Sequence, residues 1–227
     1  MISKTMMQEM ITHDKDIREP LFEFLEEQYG KVRIIEEKMM GRSRADVVMV
    51  TEDALFGLEI KSDADTYARL ARQVRDYSRY FDYNYVVVGT SHASHIAEHV
   101  PDHFGIITVE YVSENLDFYI LRRPRKSPDL EMSSKIQILW RPELNELLEE
   151  NGLPAYRRKS KQYVRKVLSD GIDPERLNIQ ISELLFERDY NTIEEQIESF
   201  REEQQKRRTS KAKPARTKKR RRKLRRE

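Results

Sequence analysis

Residues 44–63 read RADVVMVTEDALFGLEIKSD. Two runs rich in Val, Met, Leu, Ile and Phe flank the short acidic turn Glu52-Asp53, which predicts strands over 45–51 and 55–61 joined as a tight antiparallel hairpin. Three charged side chains interrupt these runs: Asp46 on the first strand, Glu59 and Lys61 on the second. Side chains alternate faces along a strand, so Glu59 and Lys61 project to one side while Ile60 packs on the other. Asp46 lies across the hairpin from them.

Working outward, residues 32–38 (VRIIEEK) read as a preceding strand, so the hairpin extends to a three-stranded meander. Upstream, Ile17, Leu21, Phe24 and Leu25 fall at helical spacing and Gly30 supplies a stop, which predicts a helix over 14–29. Downstream, Tyr67, Leu70, Val74, Tyr77 and Phe81 predict a second helix over 65–81, with Asp63 or Asp65 as its cap. Residues 85–89 (YVVVG) form a continuous apolar run, as expected of a strand buried on both faces and reached by a parallel crossover. The expected fold class is therefore α/β, an αβββαβ core with a mixed sheet. A weaker helix (95–99) and strand (105–111) follow, then an edge strand at 115–119.

Two prolines and several charges mark 122–134 as a linker between a domain at 1–121 and a small helical unit at 135–190. Helices are expected there over 135–150, 159–169 and 174–188, then a charged helix over 191–205 and a disordered tail at 206–227. No internal repeat is evident.

Composition narrows the function. The 227 residues include no cysteine, which excludes disulfides, thiolate metal sites and cysteine nucleophiles. No apolar run approaches the roughly 18 residues that span a bilayer, so a cytoplasmic protein without membrane contact is expected. The net charge of +2 hides an asymmetry: residues 206–226 hold fourteen Lys or Arg, and with Glu227 the tail carries +13, leaving −11 for residues 1–205. A dense cationic arm binds polyanions by releasing their condensed counterions, so nucleic acid is the expected partner and Arg220, Arg221 and Arg222 are candidate contacts. A solubilising tail or an address signal would have the same composition.

If Asp46 and Glu59 meet, two carboxylates and the Ile60 backbone carbonyl can hold a hard divalent cation with water positions left open. That arrangement suits phosphodiester hydrolysis, with the Lys61 ammonium orienting the attacking water or stabilising the developing oxyanion. A structural ion-pair cluster is the competing explanation, because Glu-x-Lys is common in a chain that is 36% charged. No GxSxG elbow or GxxxxGK[ST] loop occurs, so serine-hydrolase and self-contained NTPase chemistry lack support.

Asp46, then Glu59-Ile60-Lys61 after a short hairpin, then helix and strand, resembles the PD-(D/E)XK restriction-endonuclease-like superfamily. The longer string IIEEK, GRSRADVV, GLEIKSDADTYARLARQ and VVVG is similar to a little-characterised bacterial and phage group of nucleases within it, more distantly to MmcB-like DNA-repair proteins. The resemblance is dense over about 14–110 and continues through ILWRPEL near Leu139; Ala45 stands where the superfamily pattern has proline. It implies a Mg²⁺-dependent nuclease, with Mn²⁺ able to substitute, in which Asp46 and Glu59 bind metal and Lys61 assists catalysis. A further acid is implied upstream, with Glu37 the best match and Glu36 and Glu23 as alternatives. Gln73 and Tyr77, at i and i+4 on one helix face, resemble the QxxxY element that RecB-like members place beside the metal, although Tyr77 also belongs to that helix's apolar stripe. Arg69 and Arg72 on the same helix could meet phosphates or simply balance an acidic body.

Two further patterns complete the reading. His92, His95, His99 and His103 recur every three or four residues, but Pro101 interrupts them, so they are expected to form a polar helix face, not a metal site. Residues 143–168 (ELNELLEENGLPAYRRKSKQYVRKVL) resemble a SAP-type DNA-binding module whose second helix opens with Arg157, Arg158, Lys159 and Lys161. A plain helical hairpin packed on the first domain is the alternative. The expected function is a metal-dependent nuclease acting on DNA, with RNA as a third possibility; the alternative is a non-catalytic nucleic-acid-binding or recruitment protein on the same fold.

Overall fold

The apolar run near residue 86 becomes the fourth of six strands in one sheet. The computed structural model describes residues 14–62, 65–89, 92–112 and 115–188. In order they form α1 (Asp14–Tyr29), β1 (Arg33–Met40), β2 (Ser43–Val50), β3 (Leu55–Lys61), α2 (Leu70–Tyr80), β4 (Tyr83–Gly89), α3 (Ala93–Ile96), β5 (Gly105–Val112), β6 (Asn115–Arg122), α4 (Met132–Lys135), α5 (Arg141–Glu150), α6 (Lys161–Gly171) and α7 (Pro174–Phe186). The sheet runs β1 to β6 in sequence order. Pairing is antiparallel across β1–β2–β3, parallel across β3–β4–β5 and antiparallel again at β5–β6. This is a mixed α/β architecture, and its first six elements follow the expected αβββαβ order.

Each face of the sheet has its own core. On one, Ile17, Leu21 and Leu25 of α1 pack against Val47, Met49, Leu58, Val87 and Ile107. On the other, α2 and the C-terminal helices share one cluster with Val48, Val50, Val86 and Val88. β3 and β4 are covered on both faces, which is why their sequences are nearly continuous apolar runs.

The approach of α2 to the sheet depends on a glycine. Gly57 of β3 lies directly under α2, where a Cβ would collide with the rings of Tyr77 and Phe81. Its absence lets α2 lie close enough for the Tyr77 hydroxyl to reach the β3 backbone.

Several expectations are corrected. The 122–134 stretch is no free linker: Arg125 N donates to His103 O (2.9 Å), Ser127 N to Asp82 O (2.7 Å) and Glu131 N to Arg79 O (3.0 Å), fastening the segment to the body. Nor do the helices after it form a separate unit. Ile136, Leu144, Leu147, Val164, Leu168, Leu177 and Leu185 share the core of the sheet's second face, and one compact unit extends to Arg188. Proline and charge suggested a linker because backbone hydrogen bonding to a distant segment leaves no local signature. The single helix expected over 135–150 is broken at Leu139 and Trp140, whose extended backbone starts α5 afresh with Glu143 capping the Trp140 N–H. The second helix begins later than expected, with a 3-10 turn at Tyr67–Arg69. Asp65 does not cap it; its carboxylate accepts from Ser62 N and Oγ instead. The charged helix at 191–205 and the basic tail, including Arg220, Arg221 and Arg222, lie outside the described residues.

Candidate active site

The β2–β3 ladder ends at the pair Val47 and Leu58. Asp46 and Glu59 are the next residues on the two strands, directly opposite and on the face covered by α2. The β1–β2 register also skips one position there, the pair Glu37 and Asp46, because Glu37 adopts a left-handed backbone with φ of 50°. Asp46 N–H, freed from the ladder, donates instead to Tyr77 Oη at 3.2 Å.

A connected polar network results. Ile60 N donates to Asp46 Oδ2 at 2.9 Å, a contact that turns this carboxylate toward β3. Lys61 Nζ donates to Glu59 Oε1 at 2.6 Å and to Gln73 Oε1 at 3.3 Å, and Gln73 Nε2 donates to the same Glu59 oxygen at 2.5 Å. Tyr77 Oη lies 2.8 Å from Glu59 Oε2 and 3.0 Å from Leu58 O, and its single proton serves one of them at a time. Burial, and then the nearby Glu59 charge, push the Tyr77 phenol well above its ordinary value, so it stays a neutral donor. Glu59 is 2% exposed and Lys61 6%, whereas Asp46 is half-buried.

These side chains form the floor of an open cleft of about 440 Å³. Its walls carry Arg42 and Arg44 from the β1–β2 hairpin and Arg69 and Arg72 from the start of α2. Ile60 also lines it; because its side chain belongs to the core on the opposite face, its backbone is what reaches the cleft.

Of the residues singled out from sequence, Asp46, Glu59, Lys61, Gln73 and Tyr77 come together. Glu37 does not: it turns away and pairs with Arg44 (2.9 Å) and Arg18 of α1 (3.4 Å). Neither alternative acid replaces it, since Glu36 also pairs with Arg18 (2.8 Å) and Glu23 is exposed on α1, which covers the opposite face. Arg157, Arg158 and Lys159 are exposed ahead of α6, with Lys159 resting over the Tyr163 ring. Lys161 is half-buried, and burial followed by repulsion from Arg165 lowers its ammonium to about 8. The histidines are dispersed: His92 and His99 pack on Tyr67, while His103 bonds Ser78. Arg42 was not singled out from sequence; its only signal was its place in a Gly-Arg turn four residues before Asp46.

Oxygen donors from Asp46 and Glu59 beside the Ile60 carbonyl fit a hard cation such as Mg²⁺, which takes one or two carboxylates and keeps several waters. Among the described residues no group of three or more His, Asp or Glu side chains gathers as a ready cage, so water and substrate oxygens would complete such a shell. No helix among them is long and apolar enough to cross a membrane.

Fold and site together define a mixed α/β protein whose central strands present an acid–lysine cluster at the floor of an arginine-walled cleft. The chain belongs to the bacteriophage P4 protein cII family, whose model matches residues 7–213. Protein cII of Enterobacteria phage P4 is 23% identical over 146 residues, 63% of this chain; the match covers 55% of that relative, so the chain spans about half its length. Among solved structures, SfsA of Pyrococcus furiosus in complex with Ca²⁺ is similar at a TM-score of 0.31 and 14% identity, covering 53% of this chain and 64% of that one.

Proposed function

We propose that this protein is a metal-dependent nuclease of the PD-(D/E)XK type that acts in the cytoplasm and hydrolyses phosphodiester bonds of DNA. The observation that carries the reading is the convergence of Asp46, Glu59 and Lys61 at the cleft floor, on strands in the order this chemistry uses. Asp46, Glu59 and the Ile60 carbonyl would hold Mg²⁺, or Mn²⁺ in its place, which supplies a bound water of lowered pKa and offsets charge on the phosphoryl oxygens. The protein's own groups do the rest. Ile60 N fixes Asp46, Tyr77 fixes Glu59, and Gln73 steers Lys61. An ammonium has three protons and Lys61 has two partners among the described residues, so one proton is available to an attacking water or a phosphoryl oxygen.

One observation favours a second reading. Both Glu59 oxygens already accept hydrogen bonds within the protein, as expected of a structural ion-pair cluster on a protein that binds nucleic acid without cutting it. Incubating the purified chain with DNA in Mg²⁺, Mn²⁺ or EDTA decides between them. Metal-dependent cleavage that disappears in Asp46→Ala and Lys61→Ala, with binding retained, supports the nuclease. Binding without cleavage in either metal supports the second reading.

A further inference from the structure

The acidic balance of the folded region makes its cleft the last place to expect cations, yet four arginines stand there. Arg44 is committed to Glu37 at 2.9 Å. Arg42, Arg69 and Arg72 are exposed and, among the described residues, have no hydrogen bond or ion pair. Arg42 sits at the tip of the β1–β2 hairpin, where Gly41 takes a φ of 58° to make the two-residue turn between Met40 and Ser43. Arg69 and Arg72, one turn apart, line the wall that the start of α2 supplies. Beside Arg42, Met39 is 62% exposed, the most exposed large apolar side chain among the described residues and one that lines this cleft.

Resting on the nuclease reading of the cleft floor, we infer that these two walls form a channel for single-stranded DNA: Arg42, Arg69 and Arg72 hold backbone phosphates and Met39 contacts a base. Two observations and the stiffness of duplex DNA support the commitment to a single strand. Glu59 and Lys61 are nearly buried at the floor, so a phosphate reaches them only if the backbone descends into the cleft. At about 440 Å³ the cleft has the size of a nucleotide or two. Duplex DNA is stiff over about 150 base pairs, whereas a single strand bends freely and unstacks its bases. Such a base presents a π face, and the polarisable methionine thioether packs favourably on aromatic rings. Three guanidiniums without a partner among the described residues and one exposed apolar side chain in the same cleft suit a strand that alternates phosphate and base.

Fluorescence anisotropy with labelled oligothymidylate and with a hairpin duplex, both in EDTA, tests the channel without any requirement for cleavage. The full chain is used, so the basic tail contributes equally to every variant. Replacing Arg42, Arg69 and Arg72 together by Ala should weaken oligothymidylate binding at least about tenfold and flatten the slope of log K against log salt by about 2, as expected for three single-strand phosphate contacts. Met39→Ala should weaken oligothymidylate binding severalfold and leave the duplex unaffected. All four positions are exposed, and an unchanged melting temperature verifies folding. Wild-type affinity and slope in the triple variant would overturn the channel. Equal losses for strand and duplex would overturn the single-strand assignment. A wild-type chain that shows these binding effects but never cleaves DNA would sink the nuclease reading and leave the channel standing.

Discussion

Lys61 and Lys135 are both buried lysines held by a carboxylate, at 2.6 Å from Glu59 and 2.5 Å from Asp82, but they are finished differently. Lys135 is fully enclosed, and its ammonium reaches three partners: Asp82, Asn178 Oδ1 at 2.6 Å and Ser182 Oγ at 3.4 Å. Asp82 Oδ2 also receives Leu55 N at 2.8 Å. This pair ties α4 and α7 to the starts of β3 and β4. Burial pulls the Lys135 ammonium below its ordinary value and the Asp82 charge opposes that, so the pair holds a charge the interior would otherwise reject. Lys61 has two partners among the described residues and opens onto a cleft. A saturated ammonium fastens structure; one with a spare proton at a cleft floor can act on something that enters.

The sharpest test of that contrast is at the enclosed pair. Lys135→Met should destabilise the fold by about 3–5 kcal/mol in urea unfolding, because Asp82 is left charged and buried. Replacing both partners, Lys135→Met with Asp82→Leu, should recover much of the loss; a single variant as stable as wild type would mean the pair holds nothing together. At the cleft the effect should move from stability to turnover. Lys61→Met should cut cleavage about 100- to 1000-fold and cost less stability than Lys135→Met, because Glu59 keeps Gln73 and Tyr77 as donors and lines an open cleft. A stability loss matching that of Lys135→Met would erase the distinction between the two sites.

Tyr77→Phe asks how much of the cluster's geometry depends on one hydroxyl. It removes the acceptor of Asp46 N–H and a donor to Glu59 together, for an expected loss of about 1–2 kcal/mol. Cleavage should fall while strand affinity stays constant; affinity falling in step with rate would assign Tyr77 to binding.

The smallest effect belongs to two lysines intermediate between these extremes. Lys38 lies over the Trp140 ring, and burial followed by repulsion from Arg188 lowers it to about 8; Lys161 is lowered to about 8 by burial and then Arg165. Their unfolded forms keep the proton to about 10.5. Between about pH 8 and 10.5 the unfolded chain therefore binds more protons, and the penalty these lysines impose is relieved as pH rises. Urea midpoints between pH 7.5 and 9.5 should rise less in Lys38→Met/Lys161→Met than in wild type. Parallel pH profiles would show that these lysines do not contribute.

Much of this site was legible along the chain. Asp46, Glu59 and Lys61 stand out because each interrupts an apolar strand, and period-2 alternation alone puts Glu59 and Lys61 on one face. Gln73 and Tyr77 share a helix face by spacing, although Tyr77 could equally have been plain core. Glu37 misled because the resemblance that singled it out presumes a regular strand at that point, and a left-handed backbone there turns the side chain away. The helices after residue 131 were separated from the sheet because Leu144, Val164 and Leu177 mark a buried face without naming what buries it.

Order and type of elements were determined by the sequence itself, since 2.0- and 3.6-residue periodicities are local properties of the chain. So were the tight β2–β3 hairpin and the acid–x–Lys strand that it presents. Tertiary structure decided what depends on approach between segments far apart in sequence. Gly57 lets α2 lie close enough for Tyr77 to reach Asp46 and Glu59. Arg42 and Arg72, thirty residues apart, come to line one cleft. Lys135 finds Asp82, Asn178 and Ser182 at once. Such contacts span distances over which local pattern carries no information, and only the packing of helices onto both sheet faces brings them within bonding range.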